Sequence, residues 1–205
     1  MSVVTCLDME GVLTPEIWIN VAEKTGIEEL KVTTRDISDY DELMTMRLGI
    51  LKENDLKLED IQQVIGSLEL LEGARDFLDN LRRRCQLIIL SDTFYEFADP
   101  LIEKMNRPTL FCNNLIINSE GRITDYRLRQ HDGKRKAVQA LHGLNFKVIA
   151  AGDSYNDTTM LAEAEAGILF SPPENVIEEF PEFPVTTTYE QLRAEIDIAL
   201  EWIED

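Results

Sequence analysis

The chain has 205 residues, enough for one large domain or for a core with an inserted subdomain, and its 44% apolar and 29% charged residues are ordinary for a globular protein. Twenty basic residues against 39 acidic ones give a net charge of −19, which argues against nucleic acid and anionic membranes as partners, since both are bound by neutralising phosphates with Lys and Arg. A site for an anionic substrate therefore needs a local positive cluster, and any metal should be a hard cation.

Val3-Val4-Thr5-Cys6-Leu7 reads as a buried central strand of a parallel sheet, because it is apolar, β-branched and without polar alternation. It runs into Asp8-Met9-Glu10-Gly11-Val12, so two acids stand where a ligand would sit, at the strand's carboxyl end. An acid there can be a turn former or a helix cap. Buried without a partner, the pair instead implies a cation or a shared proton.

Thr14-Pro15-Glu16 has the form of a helix start, with a hydroxyl at the cap and an acid near the positive end of the dipole, followed by Ile17, Trp18, Val21 and Ala22 and stopped by Gly26. Glu16 is either that dipole-complementing acid or a partner for a ligand ammonium group. Between Asp39 and Asn54 a helical stripe carries Tyr40, Leu43, Met44, Leu48 and Leu51, with Arg47 inside it. A guanidinium there either snorkels at the stripe's edge or clamps a carboxylate or phosphate. A further helix spans about Leu58 to Ser67, so residues 15–72 form a helical cap subdomain after the first strand, and residues 1–14 and 73–205 form the core.

After Glu72-Gly73 a helix with Ala74, Phe77, Leu78 and Leu81 ends in Arg82-Arg83-Arg84, read as a solvated face. Gln86-Leu87-Ile88-Ile89-Leu90 is a second buried strand, ending in Ser91-Asp92-Thr93. A helix from Phe94 to Met105 precedes short β-like pieces at Thr109 to Cys112, Leu115 to Ile117 and Arg122 to Leu128. Lys134 opens the next helix and is the one cation of Lys134-Arg135-Lys136 that projects from the stripe of Ala137, Val138 and Leu141. Phe146 to Ala151 is another buried strand, leading through Gly152-Asp153-Ser154-Tyr155-Asn156-Asp157 into a helix. Two short strands, Gly167 to Phe170 and Val185 to Thr187, and a helix from Tyr189 to about Trp202 close the chain.

Cys6, Cys85 and Cys112 lack metal-ligand spacing and read as reduced packing residues; His131 and His142 read as surface or packing histidines. No segment is long enough to span a bilayer, and the expected location is the cytoplasm.

Strand and helix alternate outside the cap, which specifies an α/β fold, a doubly wound, mostly parallel sheet whose carboxyl ends share one edge. There Asp8, Glu10, Ser91, Asp153 and Lys134 converge, a set suited to phosphoryl transfer through a covalent intermediate. Asp8 is then the nucleophile, with Mg²⁺ held by Asp8 and Asp153 and completed by the Glu10 carbonyl. Ser91, Lys134 and amides near Met9 and Asp92 hold the phosphoryl oxygens. Glu10 is the acid and base, and Asn156 and Asp157 fix the metal's surroundings or the substrate.

Asp8-x-Glu10-Gly11-Val12, Leu90-Ser91-Asp92, Lys134 and Gly152-Asp153-Ser154-x-Asn156-Asp157 resemble, in order and spacing, the motifs of the haloacid dehalogenase superfamily of aspartate-nucleophile phosphatases. The cap resembles that of phosphoserine phosphatases. That resemblance implies that Glu16 reads the substrate ammonium and Arg47 its carboxylate. Most of the superfamily has an aspartate at the place of Glu10. With Glu10, Asp8 to Trp18, Thr33-Thr34-Arg35-Asp36-Ile37 and Ser91 to Phe97, the chain resembles more closely the bifunctional phosphoserine phosphatase / phosphoserine:homoserine phosphotransferase proteins. The resemblance implies phosphoserine as donor and water or homoserine as acceptor; a homodimer is compatible with it. The competing readings are a phosphatase for another small phosphate ester, with Glu16 and Arg47 structural, and a signalling receiver module that is phosphorylated without turnover.

Overall fold

A computed structural model of the chain describes residues 2–33, 36–37 and 39–204. Of the Thr33 to Ile37 motif, Thr34 and Arg35 lie outside the described residues. Among the described residues, seven strands form one sheet: β1 (Ser2–Leu7), β2 (Gln86–Phe94), β3 (Thr109–Ile117), β4 (Ile123–Arg127), β5 (Phe146–Gly152), β6 (Ala166–Phe170) and β7 (Val185–Thr186), in the order β4-β3-β2-β1-β5-β6-β7. All neighbours are parallel except the antiparallel β3–β4 hairpin. The connections run outward from β1 in one direction through β2 and β3, then return to β5 on its other side. The crevice at the carboxyl ends of β1 and β5 is thus the switch point where such sheets bind ligands.

The first strand shows why one sequence can be buried on both faces. Val3 and Leu7 pack into one core and Val4 and Cys6 into the other, as a repeat of two requires. The first core lies under α4 (Ala74–Leu81), α5 (Tyr95–Lys104) and α9 (Tyr189–Glu204), the second under α6 (Gly133–Gly143) and α7 (Thr158–Glu163). Between β1 and α4 lie α1 (Ile17–Thr25), α2 (Tyr40–Glu53) and α3 (Leu58–Gly66). Asp39 caps α2 by accepting from the Glu42 amide at 3.0 Å.

Several local expectations change. Thr14 does not cap α1; it is fully buried, bridged to Glu10, and its hydroxyl donates to the Met9 carbonyl at 3.3 Å. The helix starts at Ile17, whose amide is satisfied from afar by Glu10 Oε2 at 2.8 Å. The two β-like pieces at 109–117 are one strand, and a short helix not expected from the sequence, α8 (Glu174–Glu179), follows Pro173. Arg82 and Arg84 are not simply solvated: Arg82 pairs with Asp79 at 2.8 Å and reaches the Met105 carbonyl, and Arg84 pairs with Asp197 of α9.

Candidate active site

Asp8 follows β1 directly, and its amide donates to the Ala151 carbonyl of β5 at 2.9 Å, which ties it to the switch-point crevice. Asp153 and Asp157 follow β5. Ligand oxygens of Asp8, Asp153 and Asp157 all lie within 4.8 Å of one another, and all three residues are buried. Two glycines make the crowding possible. A Cβ on Gly11, whose φ is +76°, would stand 2.4 Å from the Asp153 carboxylate, and one on Gly152 would stand 2.3 Å from Asp157 Cγ.

Lys134, near the start of α6, is the cation at the centre. Its Nζ lies 2.7 Å from Asp157 Oδ1, 3.0 Å from Asp8 Oδ1 and 3.5 Å from Asp92 Oδ2, with the side chain 4% exposed. Burial opposes its charge, but Asp157 and Asp8 prevail and hold it protonated well above the usual lysine range. Asp157 also accepts at Oδ2 from the amides of Asp153 (3.0 Å) and Ser154 (3.1 Å), so it orders both the lysine and the loop.

One ammonium does not balance three buried acids. Burial, then Asp157, pushes Asp8 well above the usual carboxylate range against Lys134, and burial with Asp157 and Glu16 pushes Asp153 up to about 7. An all-oxygen donor set short of positive charge fits a hard divalent cation, held by Asp8 and Asp153 with Asp157 beside them.

Glu10 belongs to a neighbouring part of the site. Its carboxylate sits at the start of α1 rather than in the aspartate cluster. Burial, then Glu16, raises it to about 7, offset by the Ile17 amide, Arg47 and Lys134. A carboxyl poised there exchanges protons near neutral pH. Glu16 is exposed at the cap position of α1. Arg47 is 6% exposed, and its Nη2 donates to the Val32 carbonyl at 3.0 Å while Nε has no partner among the described residues. Burial lowers it to about 10. The sequence left open whether this guanidinium snorkels, and its burial rules that out.

Ser91 is buried at the end of β2's regular pairing, where the register with β3 breaks between Leu90 and Phe94. Beside it, Asn156 Nδ2 donates to Asp92 Oδ2 at 2.8 Å, joining the ends of β2 and β5. Two supports of this loop escaped the sequence reading. Asn113 Nδ2 donates to the Asp92 carbonyl at 2.9 Å, and the Tyr40 hydroxyl donates to the same carbonyl at 3.4 Å. An asparagine within an apolar strand was the available signal for the first; nothing in the stripe of α2 singled out Tyr40.

Fold and site together define an α/β protein with buried acids and a lysine gathered at the carboxyl ends of its central parallel strands. The chain belongs to the haloacid dehalogenase-like hydrolases, whose family model matches residues 4–165. Phosphoserine phosphatase ThrH of Pseudomonas aeruginosa is 62% identical over 192 residues, covering 94% of each chain. A phosphoserine phosphatase of Pseudomonas syringae pv. tomato is 59% identical over 192 residues, 94% of this chain and 81% of that one. Among solved structures, a phosphoserine phosphatase in apo form superposes with a TM-score of 0.75 at 21% identity over 91% of this chain and 94% of that one, a likeness of fold.

Proposed function

We propose that this chain is a Mg²⁺-dependent phosphoserine phosphatase acting through an acyl phosphate on Asp8, and that homoserine can replace water as acceptor. Its close relatives are named as phosphoserine phosphatases. The observation that carries the substrate class is Arg47, a guanidinium buried at 6% exposure whose Nε has no partner among the described residues. A substrate carboxylate would supply the missing acceptor. We further propose that residues 15–72 act as a cap over the core formed by residues 1–14 and 73–205, and that the protein works in the cytoplasm, where its three free cysteines stay reduced.

An Asp8 carboxylate oxygen attacks phosphorus, and the bond from phosphorus to the serine oxygen breaks. Glu10 gives its proton to that leaving oxygen and, now ionised, takes one from water or from the homoserine hydroxyl. The activated oxygen attacks phosphorus, the bond to Asp8 breaks, and the nucleophile is regenerated. Ser91 and Lys134 hold the phosphoryl oxygens through both steps, while Glu16 and Arg47 orient the amino acid. Asp8 and Asp153 would hold Mg²⁺, which would supply positive charge where a phosphate meets acids. Glu10, one methylene longer than aspartate, has the reach to place an alcohol as well as water; an unchanged partition between the acceptors in Glu10→Asp would sink that part of the proposal.

Membership of the hydrolase family and the helices following β1 weigh against the receiver reading. The test is phosphorus NMR of protein, Mg²⁺ and phosphoserine, with and without homoserine, beside Asp8→Asn. Inorganic phosphate should form without homoserine, and phosphohomoserine should grow at its expense with it. No turnover of phosphoserine would move the assignment to another phosphate ester.

A further inference from the structure

Arg47 is oriented by a ring that the reaction itself does not use. Apart from Val32, the guanidinium meets the face of Trp18, with Cζ 4.5 Å from the ring centroid, and Nη1 lies 4.0 Å from the Met44 sulfur. None of these groups is anionic. Stacking fixes the plane of a long, flexible cation while leaving its edge available to a planar carboxylate.

The other side of Trp18 belongs to the core. Its ring packs edge-on against Phe97 of α5, 5.5 Å between centroids, and Phe97 is fully buried. Phe97 meets Phe94 at 5.7 Å, Phe94 meets Tyr126 of β4 at 6.2 Å, and Tyr126 meets Tyr40 at 5.8 Å. Tyr40 then bonds the Asp92 carbonyl beside Ser91. An unbroken run of five rings therefore follows the seam between α1–α2 and the core, from Arg47 to the phosphoryl-binding loop. Trp18 is the ring that touches the arginine.

We propose that Trp18 is a positioning residue for specificity: it presents the edge of Arg47 to the carboxylate of an amino-acid phosphomonoester, and its seat on Phe97 makes that presentation depend on α1 docking against α5. The inference rests on Arg47 reading the carboxylate, as proposed above. Phosphoethanolamine, which keeps the phosphate and ammonium of phosphoserine but lacks the carboxylate, separates the two.

The experiment compares Trp18→Leu, Trp18→Phe, Arg47→Met and the Trp18→Leu/Arg47→Met double variant on both esters. Trp18→Leu should lower kcat/KM for phosphoserine about 3- to 30-fold, mainly through KM, the range of a partly desolvated cation–π contact. Phosphoethanolamine turnover should stay within about twofold, Trp18→Phe should recover most of the loss, and Trp18→Leu should add little once Arg47 is gone. Equal losses on both esters, in Trp18→Leu and Trp18→Phe alike, would overturn the inference while leaving Arg47 its role. An Arg47→Met enzyme that keeps the full preference for phosphoserine over phosphoethanolamine would overturn the carboxylate reading and this inference with it.

Fluorescence gives a readout that does not depend on turnover or on the folding of Trp18→Leu. The chain has two tryptophans, and replacing the 52% exposed Trp202 with phenylalanine leaves Trp18 as sole reporter. Saturating L-homoserine should change its emission, and the change should vanish in Arg47→Met; an unresponsive Trp18 would count against the proposal.

Discussion

Replacing Arg47 by methionine should stabilise the substrate-free protein and damage the enzyme. Burial brings the guanidinium down to about 10, and at about 1.4 kcal/mol for each tenfold change in acidity this places the cost of holding the charge near 3 kcal/mol. Methionine keeps most of the apolar stem and removes the charge, losing the bond to Val32 and the contact with Trp18. Those two are worth about 1 kcal/mol each, so the net gain should be about 1 kcal/mol, or roughly 2–4 °C in Tm for a chain of this size. Activity on phosphoserine should fall at least about 100-fold, the loss expected when a carboxylate is left without its buried partner. Urea denaturation without substrate and steady-state kinetics read the two effects. A variant destabilised by more than about 1 kcal/mol, or one with unchanged KM, would refute the argument that the fold carries this charge for its ligand.

Three further outcomes follow from the same geometry. Gly152→Ala should cost about 1–3 kcal/mol and at least about 100-fold in activity, because the new methyl would stand 2.3 Å from Asp157 Cγ and must displace the partner of Lys134; near-normal kinetics would mean that the loop yields freely. Glu165 accepts from the Val148 amide at 2.7 Å and from Lys147 at 3.0 Å, and its Oε2 lies 3.0 Å from His142 Nε2; although burial acts against it, these contacts hold it below the usual glutamate range. A carboxyl lowered by folding contributes stability above its unfolded pKa and loses it as pH falls through the folded value, so Glu165→Gln should cost about 1–3 kcal/mol at pH 7 and the deficit should close as pH falls below the usual glutamate range. A deficit independent of pH would point to packing alone. Burial pushes the Cys6 and Cys112 thiols up to about 12, so an aromatic disulfide reagent at pH 8 should leave both unlabelled in the native protein and label all three cysteines in denaturant.

What the sequence made legible was whatever depends on strand ends. An apolar strand flowing into acids, twice, with a hydroxyl after a third strand and a lysine on a helix's inner stripe, implies convergence once the sheet is parallel, and Lys134 does lie within 3.5 Å of acids from three strand ends. Less legible were contacts between segments far apart in the chain. Thr14 has the chemistry of a cap, yet Glu10 takes the Ile17 amide because the tight turn after β1 brings its longer side chain to the helix start. The arginines after α4 find partners on α5's end and on α9 that no local pattern announces. The ring seam escapes for the same reason: Trp18, Phe97, Phe94, Tyr126 and Tyr40 each fit an ordinary apolar position, and only the fold shows them touching.

The most direct measurement is rapid acid quench of the enzyme turning over phosphoserine with Mg²⁺, followed by mass spectrometry of its peptides. The account predicts one phosphate on the peptide containing Asp8, absent from Asp8→Asn and depleted faster when homoserine is added. Turnover with no phosphorylated peptide, or with the phosphate on another residue, would contradict it.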